Sequence, residues 1–123
     1  MKEEREKFKK DFIKRLVKYS VGIVKFAERM REKKIPLSLI DQLIRSATSI
    51  GANVVEAKFS SSKRDYLHFF EIALKSSNET KYWLILIKES FPEYIAEVNY
   101  FLKELDEISK IIGASVLTLK GKK

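Results

Sequence analysis

From residue 95 onward, Ile95, Val98, Leu102, Leu105, Ile108, Ile112, Val116 and Leu119 recur at steps of three and four, close to a heptad seam. A strand alternates with period two, so a stripe of this length can be buried only as one face of a long helix. A helix with one apolar stripe must lay it against a partner, and the chain supplies three more such stretches. In the first, Phe8, Phe12, Leu16, Tyr19, Ile23, Phe26, Ala27 and Met30 repeat with the same spacing.

The breaks between stretches are short. Pro36 disfavours an α conformation at Ile35 and ends the first stretch. Ser38 with Asp41, and Ser62 with Asp65, have the spacing of a capping serine followed by an acid, with Asp where Glu is usual. Pro92 is tolerated in a first turn, where its missing N–H is not needed. Helices are therefore expected over about 7–33, 38–58, 62–89 and 91–119. Joined by short loops, they predict an all-α, up-down-up-down four-helix bundle forming one domain over residues 1–123.

Composition narrows the function classes. With no cysteine there is no disulfide, thiol nucleophile or thiolate metal site, which fits a reducing compartment. A single histidine, His68, excludes the paired Glu-x-x-His motifs of a di-iron bundle, and spacing to Asp65 alone makes no metal site. No Gly-rich phosphate loop or nucleophile elbow is present, so neither a cofactor nor enzymatic activity is expected. The longest apolar run, YWLILI at 82–87, is far shorter than the roughly 20 residues of a membrane span. The start, MKEEREKFKK, lacks the apolar core of a secretory signal, so a soluble, cytoplasmic protein is expected.

The net charge of +8 is unevenly placed: residues 1–34 hold 13 Lys and Arg against 6 Asp and Glu, and the remainder is nearly balanced. On a helical wheel Lys7, Lys14, Lys18, Lys25 and Arg29 share a narrow arc flanked by Lys10, Arg15 and Lys33, opposite Leu16, Ile23 and Ala27. From Lys7 to Arg29 the row is about 33 Å long at about 1.5 Å per residue. Such a row attracts phosphates without reading base sequence, although a solvated helix face has the same pattern.

Residues 42–57, QLIRSATSIGANVVEA, carry short polar groups where this Lys- and Glu-rich chain would normally place long charged ones. Leu43, Ala47, Ile50 and Val54 fall on one side, widened by Ile44, Gly51 and Val55. Gln42, Arg45, Ser46, Ser49, Asn53 and Glu56 fall on the other. The small residues suit close helix packing, and the polar side suits a contact with another helix or subunit, including Ser76 or Glu79. Glu56 and Glu79 have Arg45 as an available partner, which favours a structural role over a catalytic pair. On the third stretch Phe69, Phe70, Ala73, Ser77, Thr80 and Leu84 can face a core, but Leu67, Leu74 and Ile85 on one flank and Trp83 and Ile72 on the other extend the apolar arc. An arc so wide predicts an oligomer surface.

The run Gln42, Leu43, Arg45, Ala47, Ser49, Ile50, Asn53 and Glu56, continued by Phe69, Ile72, Ala73, Ser76 and Glu79, resembles the Q-L-x-R-x-A-x-S-I-x-x-N-x-x-E-G and F-x-x-I-A-x-x-S-x-x-E segments of the 23S rRNA intervening sequence proteins. Ala57 departs from the family's Gly. The resemblance implies a small non-enzymatic α-bundle related to the accessory proteins of diversity-generating retroelements. It also implies a homo-oligomer, a pentamer, whose basic surface engages RNA or DNA and a reverse transcriptase. The alternative is a protein-only adaptor without nucleic-acid binding.

Overall fold

The computed structural model describes residues 1–121. Helices α1 (Lys2–Glu32), α2 (Leu37–Lys58), α3 (Lys63–Ser90) and α4 (Ile95–Leu119) follow in order, with a 3-10 turn, Pro92–Tyr94, before the last. No strand occurs among the described residues, and the architecture is the expected all-α four-helix bundle. Each helix packs on the next in sequence, as short connections require; the α2 and α3 backbones run closest together, and those of α1 and α4 are held further apart.

The helix ends show where local chemistry acted differently from expectation. Helix α1 starts at Lys2 rather than near residue 7, because the segment KEERE consists of good helix formers with Glu3 and Glu4 against the positive end of the helix dipole. At its other end Lys34 adopts φ 63°, and the N–H groups of Lys34 and Ile35 donate to the carbonyls of Arg31 and Met30. This is a Schellman closure with lysine where glycine is common, and Ile35 is buried behind it.

The expected cap at Ser38 does not form. Pro36 is already the N-cap, its carbonyl accepting from the N–H groups of Leu39 and Ile40, so Ser38 sits inside the first turn. Ser62 does cap α3, its Oγ accepting from the Asp65 N–H at 3.1 Å. Ser90 still belongs to α3, and Pro92 starts the 3-10 turn rather than α4 itself.

All four helices contribute to one core. Phe12, Leu16, Tyr19, Ile23, Phe26, Ala27 and Met30 of α1 meet Ile40, Leu43, Ala47, Ile50 and Val54 of α2, together with the inward faces of α3 and α4. Two expected core positions are not there. Phe8 is 57% exposed because it lies at an end of the bundle where α1 lines an open groove. Ile95 is 45% exposed; at the first position of α4 its inward place is taken by Tyr94 and Phe101, both buried.

Phe101 also explains Gly22, where an added Cβ would lie 3.1 Å from the Phe101 ring. Gly51, expected to allow close approach, faces Leu16, but an added Cβ there would make an ordinary 3.4 Å contact. Gly113, in the interior of α4, has nothing within 4 Å of that position. Gly113→Ala is expected to stabilise the protein by about 1 kcal/mol through helix propensity alone. A urea midpoint that fails to rise would show that α4 is not a continuous helix there.

Candidate nucleic-acid interface

The short polar residues of α2 divide between two roles. Ser46, expected on the polar face, is buried at 6% exposure, because the wheel position that leaves the α1 side points at α3. The Thr80 hydroxyl lies 3.0 Å from Ser46 Oγ and 2.8 Å from the Ser76 carbonyl, and Ser46 Oγ donates to the Leu43 carbonyl. One turn away, Ser76 Oγ donates to Ser49 Oγ at 2.9 Å, and Asn53 Nδ2 donates to the Ser49 carbonyl and hydroxyl. A third hydroxyl pair, Ser109 to Ser77, joins α4 to α3. Small hydroxyls pair here because two helices in close contact leave no room for longer polar groups, and buried polar atoms need partners.

The structure thus brings Ser49, Asn53 and Ser76 together. Gln42, Arg45, Glu56 and Glu79 are exposed and make no side-chain hydrogen bond or ion pair among the described residues.

On α1 the basic residues separate into tied and free groups. Arg15 grips Glu104 of α4 through two bonds, Nε at 2.6 Å and Nη2 at 2.8 Å, and reaches Glu107 at 2.7 Å. Arg29 pairs with Glu97 and lies 5.9 Å from the Phe26 ring. Lys7 pairs with Asp11 one turn on. Arg15 and Arg29 are therefore a seam between α1 and α4, with much of their charge answered at home. Lys14, Lys18 and Lys25 are exposed and make no ion pair among the described residues. From Lys14 to Lys25 the free row is about 16 Å long.

The α1–α4 seam carries a pH dependence. Arg15 holds the Glu104 carboxyl below the ordinary carboxylate range by direct hydrogen bonding, outweighing the opposing effect of partial burial. A carboxylate depressed in the folded state stabilises it fully above the unfolded value, and that stability is lost as pH falls through the folded value. Glu104→Gln is expected to cost about 1 kcal/mol at neutral pH, near the upper end for a solvent-screened pair because the contact is bidentate. Melting curves of variant and wild type should converge in acid; a gap that persists there would assign the loss to packing instead.

The expected oligomer surface is divided between partly packed and exposed positions. Leu67, Leu74 and Trp83 are half-buried against the protein's own core, and of the expected oligomer surface only Ile85 counts as exposed. Val17, Val21 and Val24 of α1, which the sequence reading did not single out, are 55%, 46% and 39% exposed. With Ile13, Ala52 and Val55 they line a shallow groove of about 630 Å³ between α1 and α2. Their spacing of four and three was the available clue. His68 is exposed beside Phe69, and no group of three or more metal-ligating side chains occurs among the described residues. Among those residues no helix is long and apolar enough to cross a membrane.

Residues 9–114 match the family model described as 23S rRNA-intervening sequence protein. A crystal structure of a protein of unknown function from the S23 ribosomal protein family of Bacteroides thetaiotaomicron is 30% identical, with a TM-score of 0.80 over 85% of this chain and 97% of that one. No curated protein matches the chain. A family match that reaches into all four helices places this chain in the 23S rRNA-intervening sequence protein family.

Proposed function

We propose that the protein is a non-enzymatic, self-associating bundle that holds RNA or DNA by its phosphates along α1. The observation that supports this most is the row of unpaired lysines, Lys14, Lys18 and Lys25, beside arginines whose charge is spent on α4. Point charges in a row suit a polyanion and supply no base-edge readout, so binding is general in sequence and strongly dependent on salt. Subunits associate through apolar surface such as the Val17, Val21 and Val24 ridge, and five copies repeat the basic row so that one strand can engage several. In this reading the assembly serves as a scaffold for a nucleic-acid enzyme such as a reverse transcriptase.

The test is a salt titration of binding to generic RNA and duplex DNA, for wild type and for the Lys14, Lys18, Lys25→Gln triple variant. No binding by wild type at low salt would overturn the reading in favour of a protein-only adaptor, whose partner would then dock on the valine ridge. Self-association is tested separately by light scattering. A mass of 14.4 kDa at micromolar concentration would show a monomer.

A further inference from the structure

One end of the bundle is open. Around the N-terminal half of α1 and the C-terminal end of α4 lies a groove of about 1030 Å³, at the upper limit of the roughly 300–1,000 Å³ that small-molecule sites occupy. The wall that α4 contributes includes Ala114, Ser115 and Thr118, too small to fill the space. Its apolar lining mixes the rings of Phe8, Phe12, Tyr66 and Phe70 with aliphatic side chains such as Ile13, Val54, Ile111 and Leu119. Phe8 and Phe12 lie nearly parallel, with 7° between ring planes, and Tyr66 stacks on Phe70 with centroids 4.9 Å apart. The Lys9 ammonium lies 5.4 Å from the Tyr66 ring, so the free aromatic surface is that of Phe8.

The charged side chains lining the groove are one-sided. Arg5, Lys9, Lys58 and Lys63 contribute four positive charges and Glu4 one negative charge. A second copy of this chain seated there would need an acidic counterpart, and a free acyl chain would bring one carboxylate to four cations. A flat, polarisable body attached to phosphates fits both features, since bases stack on aromatic side chains while cations hold the backbone.

From this we infer that the open end of the bundle is a stacking site for an unpaired base of a single-stranded nucleic acid, with Phe8 as the platform and Arg5, Lys9, Lys58 and Lys63 as the phosphate contacts. The inference rests on the proposed nucleic-acid reading and adds a preference to it: single strands and frayed ends over blunt duplex.

The experiment uses the full chain and two labelled probes titrated at several salt concentrations, a short oligouridylate and a fully paired blunt hairpin. Phe8→Leu keeps an apolar side chain but removes the flat ring, and Phe8→Trp keeps it. Phe8 is on the surface, and unchanged melting temperatures and light-scattering masses would confirm intact variants. Phe8→Leu should bind oligouridylate about tenfold more weakly with the salt slope unchanged, leave hairpin binding as it was, and be rescued in Phe8→Trp. If Phe8→Leu binds oligouridylate as wild type does, or loses both probes equally, the stacking site is refuted. A changed subunit number in Phe8→Leu would also refute it, by assigning the groove to a second copy. If the lysine triple variant loses affinity while Phe8→Leu does not, only this inference falls. If wild type binds neither probe, the inference falls together with the reading beneath it.

Discussion

Replacing Lys14, Lys18 and Lys25 together by glutamine is expected to weaken binding to RNA and duplex DNA by about two to three orders of magnitude near about 0.1 M salt. The size follows from counterion release. Each ammonium held at a duplex phosphate frees about 0.9 of a condensed cation, which near that concentration is worth roughly a factor of eight in affinity. Three contacts multiply to several hundredfold, and the log-log salt slope should become shallower by about 2.7 for duplex and about 2 for single strands. Loss should be uniform across sequences, because an ammonium at a phosphate reads no base. Stability should change by no more than about 0.5 kcal/mol, since all three side chains are exposed and unpaired among the described residues. Arg15→Gln is the contrasting variant. It would strand Glu104 and Glu107 on the α1–α4 seam and lower stability, so a fall in binding there would not report a phosphate contact. A triple variant with unchanged affinity and slope would reduce the lysine row to a solvated face.

Local patterns of the chain account for much of this geometry. Val98, Leu105, Ile108, Ile112 and Val116 of the α4 seam and the α1 stripe from Phe12 to Met30 are buried as their spacing demands, because burial of one helical face needs only a periodicity that neighbouring residues carry. Ser62 caps α3 for an equally local reason. The contact of Ser49 with Ser76 was foreshadowed by the absence of long charged side chains in the stretch.

Other features depend on partners far away in sequence. Arg15 and Glu104 are 89 residues apart, so a basic row read from α1 alone counts Arg15 and Arg29 as free when α4 has already engaged them. Ser46 looked polar-facing because a wheel drawn for one helix has a single inward direction, whereas α2 is covered on two flanks, by α1 and by α3. Phe8 fits the apolar repeat perfectly well and is exposed only because the bundle stays open beyond it. The Val17, Val21 and Val24 ridge was hidden for the opposite reason: its members sit among lysines, and a valine there reads as ordinary scatter until three of them share a groove.

Phe26→Ala is expected to cost about 3–5 kcal/mol, the largest stability loss among the substitutions considered for this chain. Phe26 is fully buried, with ring centroids 5.5 Å from Tyr94 in an edge-on arrangement and 5.4 Å from Phe101. Tyr19 completes the cluster, edge-on to Phe101 with its hydroxyl donating to the Phe101 carbonyl at 3.0 Å, and burial pushes that phenol well above its ordinary pKa. These rings matter because the α1 and α4 backbones are held apart, so large side chains must span the gap between them. Aromatic pairs of this geometry add about 0.5–1.5 kcal/mol each beyond the area they bury, and alanine would remove two of them while opening a cavity in a core that cannot fully collapse. Against a typical total of about 5–15 kcal/mol, the melting temperature should fall by on the order of 15 °C. Phe8→Leu, on the surface of the same helix, is the control and should leave it within about 2 °C. The cost has a functional side, since releasing α1 from α4 would move the lysine row and Phe8 away from the α4 wall of the groove. Phe26→Ala should therefore weaken nucleic-acid binding most near its own melting temperature, while the lysine variant is weak at every temperature. A loss below about 1 kcal/mol would mean that the ring cluster is not what fastens α1, and that Arg15 and Arg29 carry the seam instead.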